Sequence, residues 1–205
     1  MEIITRKTAI DNLQKYVGHD LSEWATKFEI TSFKEDKQNK GWKGQVLERL
    51  AGLTNNNSPA PNGIGFELKS VSYVLRNGVY LPRETMAITM INQKQLIDTP
   101  FFESHCWDKL KSLILCAVEW KGKMTKHPKL LDVASFDLLT TDTIVKEIEA
   151  DYEFIRNKLI ISGFESLTGK DGKWIQARTK GPGHGSISRA FYARKSLLAE
   201  LFKKT

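Results

Sequence analysis

A mixed α/β fold of the α+β kind is predicted by three features of this chain of 205 residues. Helical apolar stripes alternate with runs of period-two alternation, so neither an all-α nor an all-β architecture fits. Gly, Asn and Pro clusters punctuate the chain at the points where the period changes. An apolar content of 40% is enough for a substantial core.

The elements follow in order. Ala9, Ile10, Leu13, Tyr16 and Val17 form a helical stripe over residues 8–17, and a second short helix starts near Leu21. Residues 32–40 are polar and read as a loop. Val46, Leu47, Leu50 and Ala51 set a helix over 42–53, with Glu48 off the centre of its stripe. Residues 54–63 carry every turn signal. Residues 64–73 alternate apolar and polar and read as a strand. Arg76-Asn77-Gly78 signals a hairpin turn, with residues 83–91 as the expected partner strand. Residues 103–112 look helical and run into an apolar strand at 113–118, and a further strand is expected at 130–139. Thr141-Asp142 offers an N-cap for a helix through Ile161. Gly169-Lys170-Asp171-Gly172 is expected to turn a hairpin between 164–168 and 173–178. A Gly-rich loop over 180–186 and a helix over 194–204 close the chain.

Several function classes are excluded or favoured by composition. The longest apolar runs are far too short to span a bilayer, and the first residues lack signal-peptide order, so a cytoplasmic protein with no membrane role is expected. Cys106 and Cys116 make neither a metal-ligand spacing nor a disulfide framework and read as small buried residues. The net charge is +7, and the segment from Arg178 onward holds seven basic residues against one acid, Glu200. Such a surface suits a polyanion, and nucleic acid is the commonest one.

The segment with the most chemistry is Gly65-Phe66-Glu67-Leu68-Lys69. On a strand, residues i and i+2 share a face, so Glu67 and Lys69 project together while Phe66 and Leu68 anchor the other side. A carboxylate beside a lysine supplies an oxygen ligand for a hard cation and a positive charge near an attacking water. Alone, Glu-x-Lys is common on exposed strands. Its context is Glu48 on the preceding helix, an Asn/Pro-rich loop leading into the strand, and Lys109 in Asp108-Lys109-Leu110-Lys111.

These motifs, with Lys40-Gly41-Trp42-Lys43-Gly44, Glu84-Thr85, Glu103-Ser104-His105, Asp151-Tyr152-Glu153, Ile175-Gln176-Ala177-Arg178-Thr179-Lys180 and Arg189-Ala190-Phe191-Tyr192, resemble in order and spacing the MutH family of DNA endonucleases. The resemblance covers nearly the whole chain. It implies a PD-(D/E)xK restriction-endonuclease-like fold, with a mixed sheet flanked by helices and two lobes around a DNA cleft. Residues 1–140 would be the catalytic lobe and 141–205 the DNA-reading lobe. It implies Mg2+ as cofactor, with Mn2+ substituting, held by Glu67 and the backbone carbonyl of Leu68. Lys69 would sit by the attacking water, Glu48 would orient the metal shell or a lysine, and Lys109 would lie near the scissile phosphate.

One position departs from the family pattern. The aspartate expected upstream of the strand is replaced, with Asn62 as the candidate occupant, and no acid occurs between Arg49 and Phe66. Three explanations stand open: an engineered Asp→Asn change, a natural site using Asn62 and Glu48 in altered roles, or a protein that binds DNA without cutting it.

For DNA reading, Arg178 and Lys180 lie two apart at a strand end, where both can reach a groove; arginine's fork matches guanine O6 and N7. The resemblance places these two at base- or backbone-reading positions. Gly181 and its neighbours let the backbone approach bases or phosphates closely, with His184 and Arg189 as further contacts. Tyr192 matches a tyrosine that in the family senses adenine methylation. The segment between Lys180 and Arg189 looks shorter than in the repair enzymes. The main expectation is therefore a type II restriction endonuclease acting on double-stranded DNA at a GATC-like site, paired with a cognate DNA methyltransferase and working as a monomer or dimer. The alternatives are a mismatch-repair nickase and a non-cleaving sequence-specific DNA-binding protein.

Overall fold

The computed structural model describes residues 4–34, 37–39, 41–54, 65–122, 125–180 and 188–202, and for residues 34, 37 and 38 the backbone alone. Asn62, Gly181 and His184 lie outside the described residues. The described parts of Met1–Glu84 and Leu113–Phe136 form one compact unit, and those of Thr85–Ser112 and Asp137–Lys204 form a second. Residues 85–112 thus group with the C-terminal part, whereas a division at residue 140 was expected. The mixed α/β class holds: among the described residues, helices alternate with a mixed four-stranded sheet and an antiparallel three-stranded one.

In the first unit, α1 (Arg6–Gln14), α2 (Leu21–Lys27) and α3 (Trp42–Leu50) precede the sheet. Thr5 and Asp20 cap α1 and α2 by accepting from Thr8 N and Ser22 N, as N-cap oxygens do. Between α2 and α3, β1 (Phe33–Lys34) and β2 (Lys37–Gln38) form a two-residue antiparallel ladder where a loop was expected. The central strand β3 (Glu67–Arg76) pairs with β4 (Val79–Pro82) on one side and β6 (Ser112–Glu119) on the other, with β7 (Leu130–Asp137) beyond β6. The β3–β6 pairing is parallel, in register Glu67 to Leu113 and Lys69 to Leu115.

The hairpin partner of β3 differs from expectation. Asn77 and Gly78 both have positive φ, 49° and 80°. Positive φ at both central residues closes a two-residue turn, so the chain returns at once, with Arg76 opposite Val79. Pro82 then ends the strand, since it has no N–H to donate. One face of β3 contributes Phe66 and Leu68 to a core with Leu13, Trp42, Val46, Leu47, Ile114 and Cys116.

In the second unit, β5 (Met86–Met90), β9 (Arg189–Ala193) and β8 (Ile175–Thr179) form an antiparallel sheet with β9 in the centre. The long helix α6 (Thr143–Ser162) packs on it, and its Tyr152 ring stacks on Phe191 with centroids 5.3 Å apart. Further elements are α4 (Gln93–Asp98), α5 (His105–Asp108) and α7 (Lys195–Phe202). The helix expected over 103–112 shrinks to α5. Ser104 caps it by accepting from Trp107 N, after a 3-10 turn at Phe101–Glu103.

The hairpin expected around Gly169–Gly172 is not formed. Residues 164–166 are a 3-10 turn, and β8 pairs with β9 instead. The cause is a buried carboxylate. Asp151, on the apolar side of α6, accepts from the backbone N–H groups of Lys173, Trp174 and Ile175 at 2.7, 2.6 and 2.9 Å. Gly172 has φ 77°, and a Cβ there would stand 2.1 Å from Ile175 O and 3.0 Å from Asp151 Cγ. Arg194 fastens the same turn through the carbonyls of Gly169, Asp171 and Gly172.

Both cysteines are buried, and burial pushes their thiols well above the usual range, so they act as packing residues. Among the described residues no helix is long and apolar enough to cross a membrane. Asp151→Ala leaves three amide donors without an acceptor and is expected to cost about 3 kcal/mol, read as a lowered urea midpoint. A midpoint within error of the parent would show that water replaces the carboxylate at no cost.

Candidate active site and nucleic-acid interface

The charged pair of the first unit is set by strand geometry. Glu67 and Lys69 emerge from the face of β3 opposite Phe66 and Leu68, as period-two alternation requires. Lys69 Nζ lies 2.6 Å from Glu67 Oε1, with the Glu67 side chain 1% exposed and that of Lys69 23% exposed. A carboxylate withdrawn so far from water is stable only when paired. Here the pairing group is itself on a flexible four-carbon stem that reaches solvent.

The helix carrying Glu48 packs against β3 through Gly44, where an added Cβ would stand 3.9 Å from Ser70 Oγ. Glu48 is half-buried on α3. Lys109 is buried, 9% exposed, at the C-cap of α5, and belongs to the second unit, whereas Glu48, Glu67 and Lys69 belong to the first.

One neighbour of this region was not foreseen. Lys43, in the first turn of α3, is partly buried, and burial lowers its pKa; the Glu84 carboxylate offsets part of that effect and the Arg83 guanidinium adds to it. Arg83 itself lies 3.9 Å over the Trp120 ring and 3.5 Å from Glu84. The only sequence hint was a lysine in a helical first turn, where the dipole favours acids.

As a metal shell, the described residues offer the Glu67 carboxylate and the Leu68 carbonyl; no group of three His, Cys, Asp or Glu side chains among them could hold a metal ion. One carboxylate with a carbonyl suits magnesium, which keeps several waters and takes substrate phosphate oxygens as its remaining ligands.

A separate basic cluster lies on the three-stranded sheet of the second unit. Phe191 and Ala177 pair in register and face α6, so Tyr192 and Arg178 face the opposite side. The Arg178 guanidinium lies 5.2 Å from the Tyr192 ring centroid, and its Nη1 donates to Thr85 Oγ1 at 3.3 Å. Lys180 follows the end of β8, where its N–H donates to Ser188 O. Arg189 is turned inward by comparison: its Nε donates to Leu167 O at 3.0 Å and its guanidinium lies 5.5 Å from the Phe164 ring centroid. Arg178, Lys180, Arg189 and Tyr192 are thus gathered on two neighbouring strands and their connection.

The Lys43 assignment has a pH signature. A lysine whose folded pKa lies below its ordinary 10.5 is held charged at a cost at neutral pH, and that cost fades as pH rises towards 10.5. Lys43→Met is therefore expected to raise stability slightly at pH 7, and by less at pH 10, read as the urea midpoint at each pH. A loss of stability at pH 7 would show that the Glu84 attraction outweighs the burial.

Comparison with known proteins points to one family. Residues 51–150 match the family model described as DNA mismatch repair enzyme MutH. A Haemophilus influenzae DNA mismatch repair protein MutH is 22% identical over 97% of this chain and 95% of its own length. The Vibrio cholerae protein of that name is 24% identical over 92% of this chain and 85% of its own length. The Escherichia coli one is 23% identical over 93% and 82%. The matched segment includes the Glu67–Lys69 strand. Over these stretches the chain is similar to the MutH family.

Proposed function

We propose that this protein is a magnesium-dependent endonuclease that hydrolyses one phosphodiester bond of duplex DNA per encounter. The observation that carries the reading is the buried Glu67 carboxylate ion-paired to Lys69 on one face of the central strand, in the segment that matches the family. Glu67 and the Leu68 carbonyl would hold the metal, which when bound polarises the phosphate and lowers the pKa of a coordinated water. Lys69 pairs with Glu67 in the free protein; were a cation to take that carboxylate, the ammonium would be free to serve the attacking water and the phosphate charge. Glu48 would orient this shell from α3, and the family resemblance alone would assign Lys109 to the scissile phosphate. Mn2+ serves in place of Mg2+.

The restriction reading gives way to the repair reading. The relatives are named as DNA mismatch repair proteins, and they align over nearly their whole length. The short 181–187 segment that suggested a restriction enzyme lies outside the described residues, and the cognate methyltransferase was tied to that reading alone. One Glu67–Lys69 pair per chain also suits nicking, since a single such site cuts one strand at a time. Arg178, Lys180 and Tyr192 read the duplex, GATC-like by family resemblance, and the enzyme works in the cytoplasm.

The test is plasmid cleavage with magnesium, by the chain as written and by Asn62→Asp, on DNA with and without adenine methylation. Open-circular product that accumulates before linear product supports nicking; linear product alone favours restriction. Asn62→Asp is expected to raise the rate by more than about ten-fold by restoring a charged magnesium ligand. No cutting by either, with DNA binding intact, would support a non-cleaving reader. Lys69→Ala should lower cleavage by about a thousand-fold while sparing DNA affinity. Retained cutting removes Lys69 from the mechanism.

A further inference from the structure

We infer that Thr85 is a positioning residue for Arg178, holding its guanidinium across the Tyr192 ring in one orientation for base reading. This rests on the proposal that Arg178 reads DNA.

The three residues come from three neighbouring strands. Arg178 is on β8, Tyr192 on the central β9, and Thr85 immediately precedes β5. Gln176 is opposite Tyr192 and Ala87 is opposite it on the other side, so the register puts all three residues on one sheet face. Adjacent strands are about 4.8 Å apart, so two spacings separate β8 from β5. Arg178 is level with Ala190 and Thr85 lies beyond the Met86–Ala193 pair, so the side chain crosses the face on a diagonal past Tyr192. Arg178 therefore runs over the Tyr192 ring, 5.2 Å from its centroid, and donates from Nη1 to the Thr85 hydroxyl at 3.3 Å.

Its stem is confined as well. A Cβ added at Gly169 would stand 3.8 Å from Arg178 Cβ and 3.4 Å from the buried Gln176 Oε1, so the 169 turn lies against the base of the side chain. Among the described residues Thr85 is the one hydrogen-bond partner of the guanidinium. One nitrogen of the fork is thus tied down, and the remaining N–H groups keep a fixed direction.

The consequence is preorganisation. An exposed arginine loses rotamer entropy when it docks on a base, and a side chain already fixed loses less. A guanidinium held near a ring and tied at one nitrogen to a hydroxyl has fewer orientations in which to present its free N–H groups to guanine O6 and N7. Removing the hydroxyl leaves the charge in place. Non-specific attraction to phosphate should persist while base discrimination falls.

The experiment is equilibrium selection from a pool of random-sequence duplexes, with calcium replacing magnesium. The parent, Arg178→Ala, Thr85→Val and Thr85→Ser are compared, and thermal unfolding of each checks folding. Arg178→Ala and Thr85→Val should lose preference at the same base pair, with Thr85→Val weakened there about ten-fold, as expected for a hydrogen bond to a charged group. Affinity for the bulk pool should change less than about two-fold. Thr85→Ser, which keeps the hydroxyl, should restore the preference. If Thr85→Val keeps full preference while Arg178→Ala loses it, Arg178 reads DNA without Thr85 and the inference is overturned. If Arg178→Ala also keeps it, or if the parent shows no preference, the base-reading role falls and the inference with it.

Discussion

A carboxylate and an ammonium two residues apart on the central strand set the terms for the rest of the first unit. Glu67 is 1% exposed and stands 2.6 Å from Lys69 Nζ. Burying such a charge costs several kcal/mol unless a partner answers it. The fold meets that cost by firm anchoring on the opposite face of the strand. Phe66 and Leu68 enter a core built by α1, α2 and α3, and β6 pairs in parallel along the whole charged stretch. The strand can neither slip nor rotate, because a one-residue slip would exchange the charged and apolar faces.

The second unit contains a buried carboxylate with a different fate. Asp151 accepts from three successive backbone amides, all fixed by the turn before β8. Such an acceptor is saturated by groups that cannot leave, so it serves architecture. Glu67 is answered at Oε1 by an ammonium on a flexible stem that is partly open to water, a partner that a metal ion can displace. The two carboxylates are of similar burial, but the Lys69 partner of Glu67 can move in a way that the backbone partners of Asp151 cannot. Arg189 and Arg178 differ too: the Arg189 Nε is bonded to the Leu167 carbonyl, whereas among the described residues the Arg178 guanidinium bonds a threonine hydroxyl alone and lies near an aromatic ring.

Strand order explains why the basic residues gather. Because β9 sits between β5 and β8, side chains from three distant stretches of sequence share one face. Thr85 and Arg178 are 93 positions apart. The two units also exchange chain: residues 85–112 leave the first and join the second, and β6 returns to lie parallel to β3. A parallel pairing requires such a crossover, since a tight turn can only join antiparallel strands.

The sequence by itself determined whatever depends on local periodicity and local chemistry. Alternation over Phe66–Lys69 put Glu67 and Lys69 on one face, and Asn77-Gly78 marked the turn after β3. The apolar stripe of α6 and the mixed α/β class were legible for the same reason. The tertiary structure alone decided partner choice. Residues 83–91 alternate well enough to be a strand, yet nothing local says that they pair with β9 rather than β3. The turn at 169–172 carries hairpin residues, yet a carboxylate twenty residues upstream and the guanidinium of Arg194 claim it for another purpose. Thr85 is unremarkable until β9 brings Arg178 over to it. Pairing energies along a strand are similar for many partners, so which strands meet is settled by burial summed over the whole unit, a quantity no local window contains.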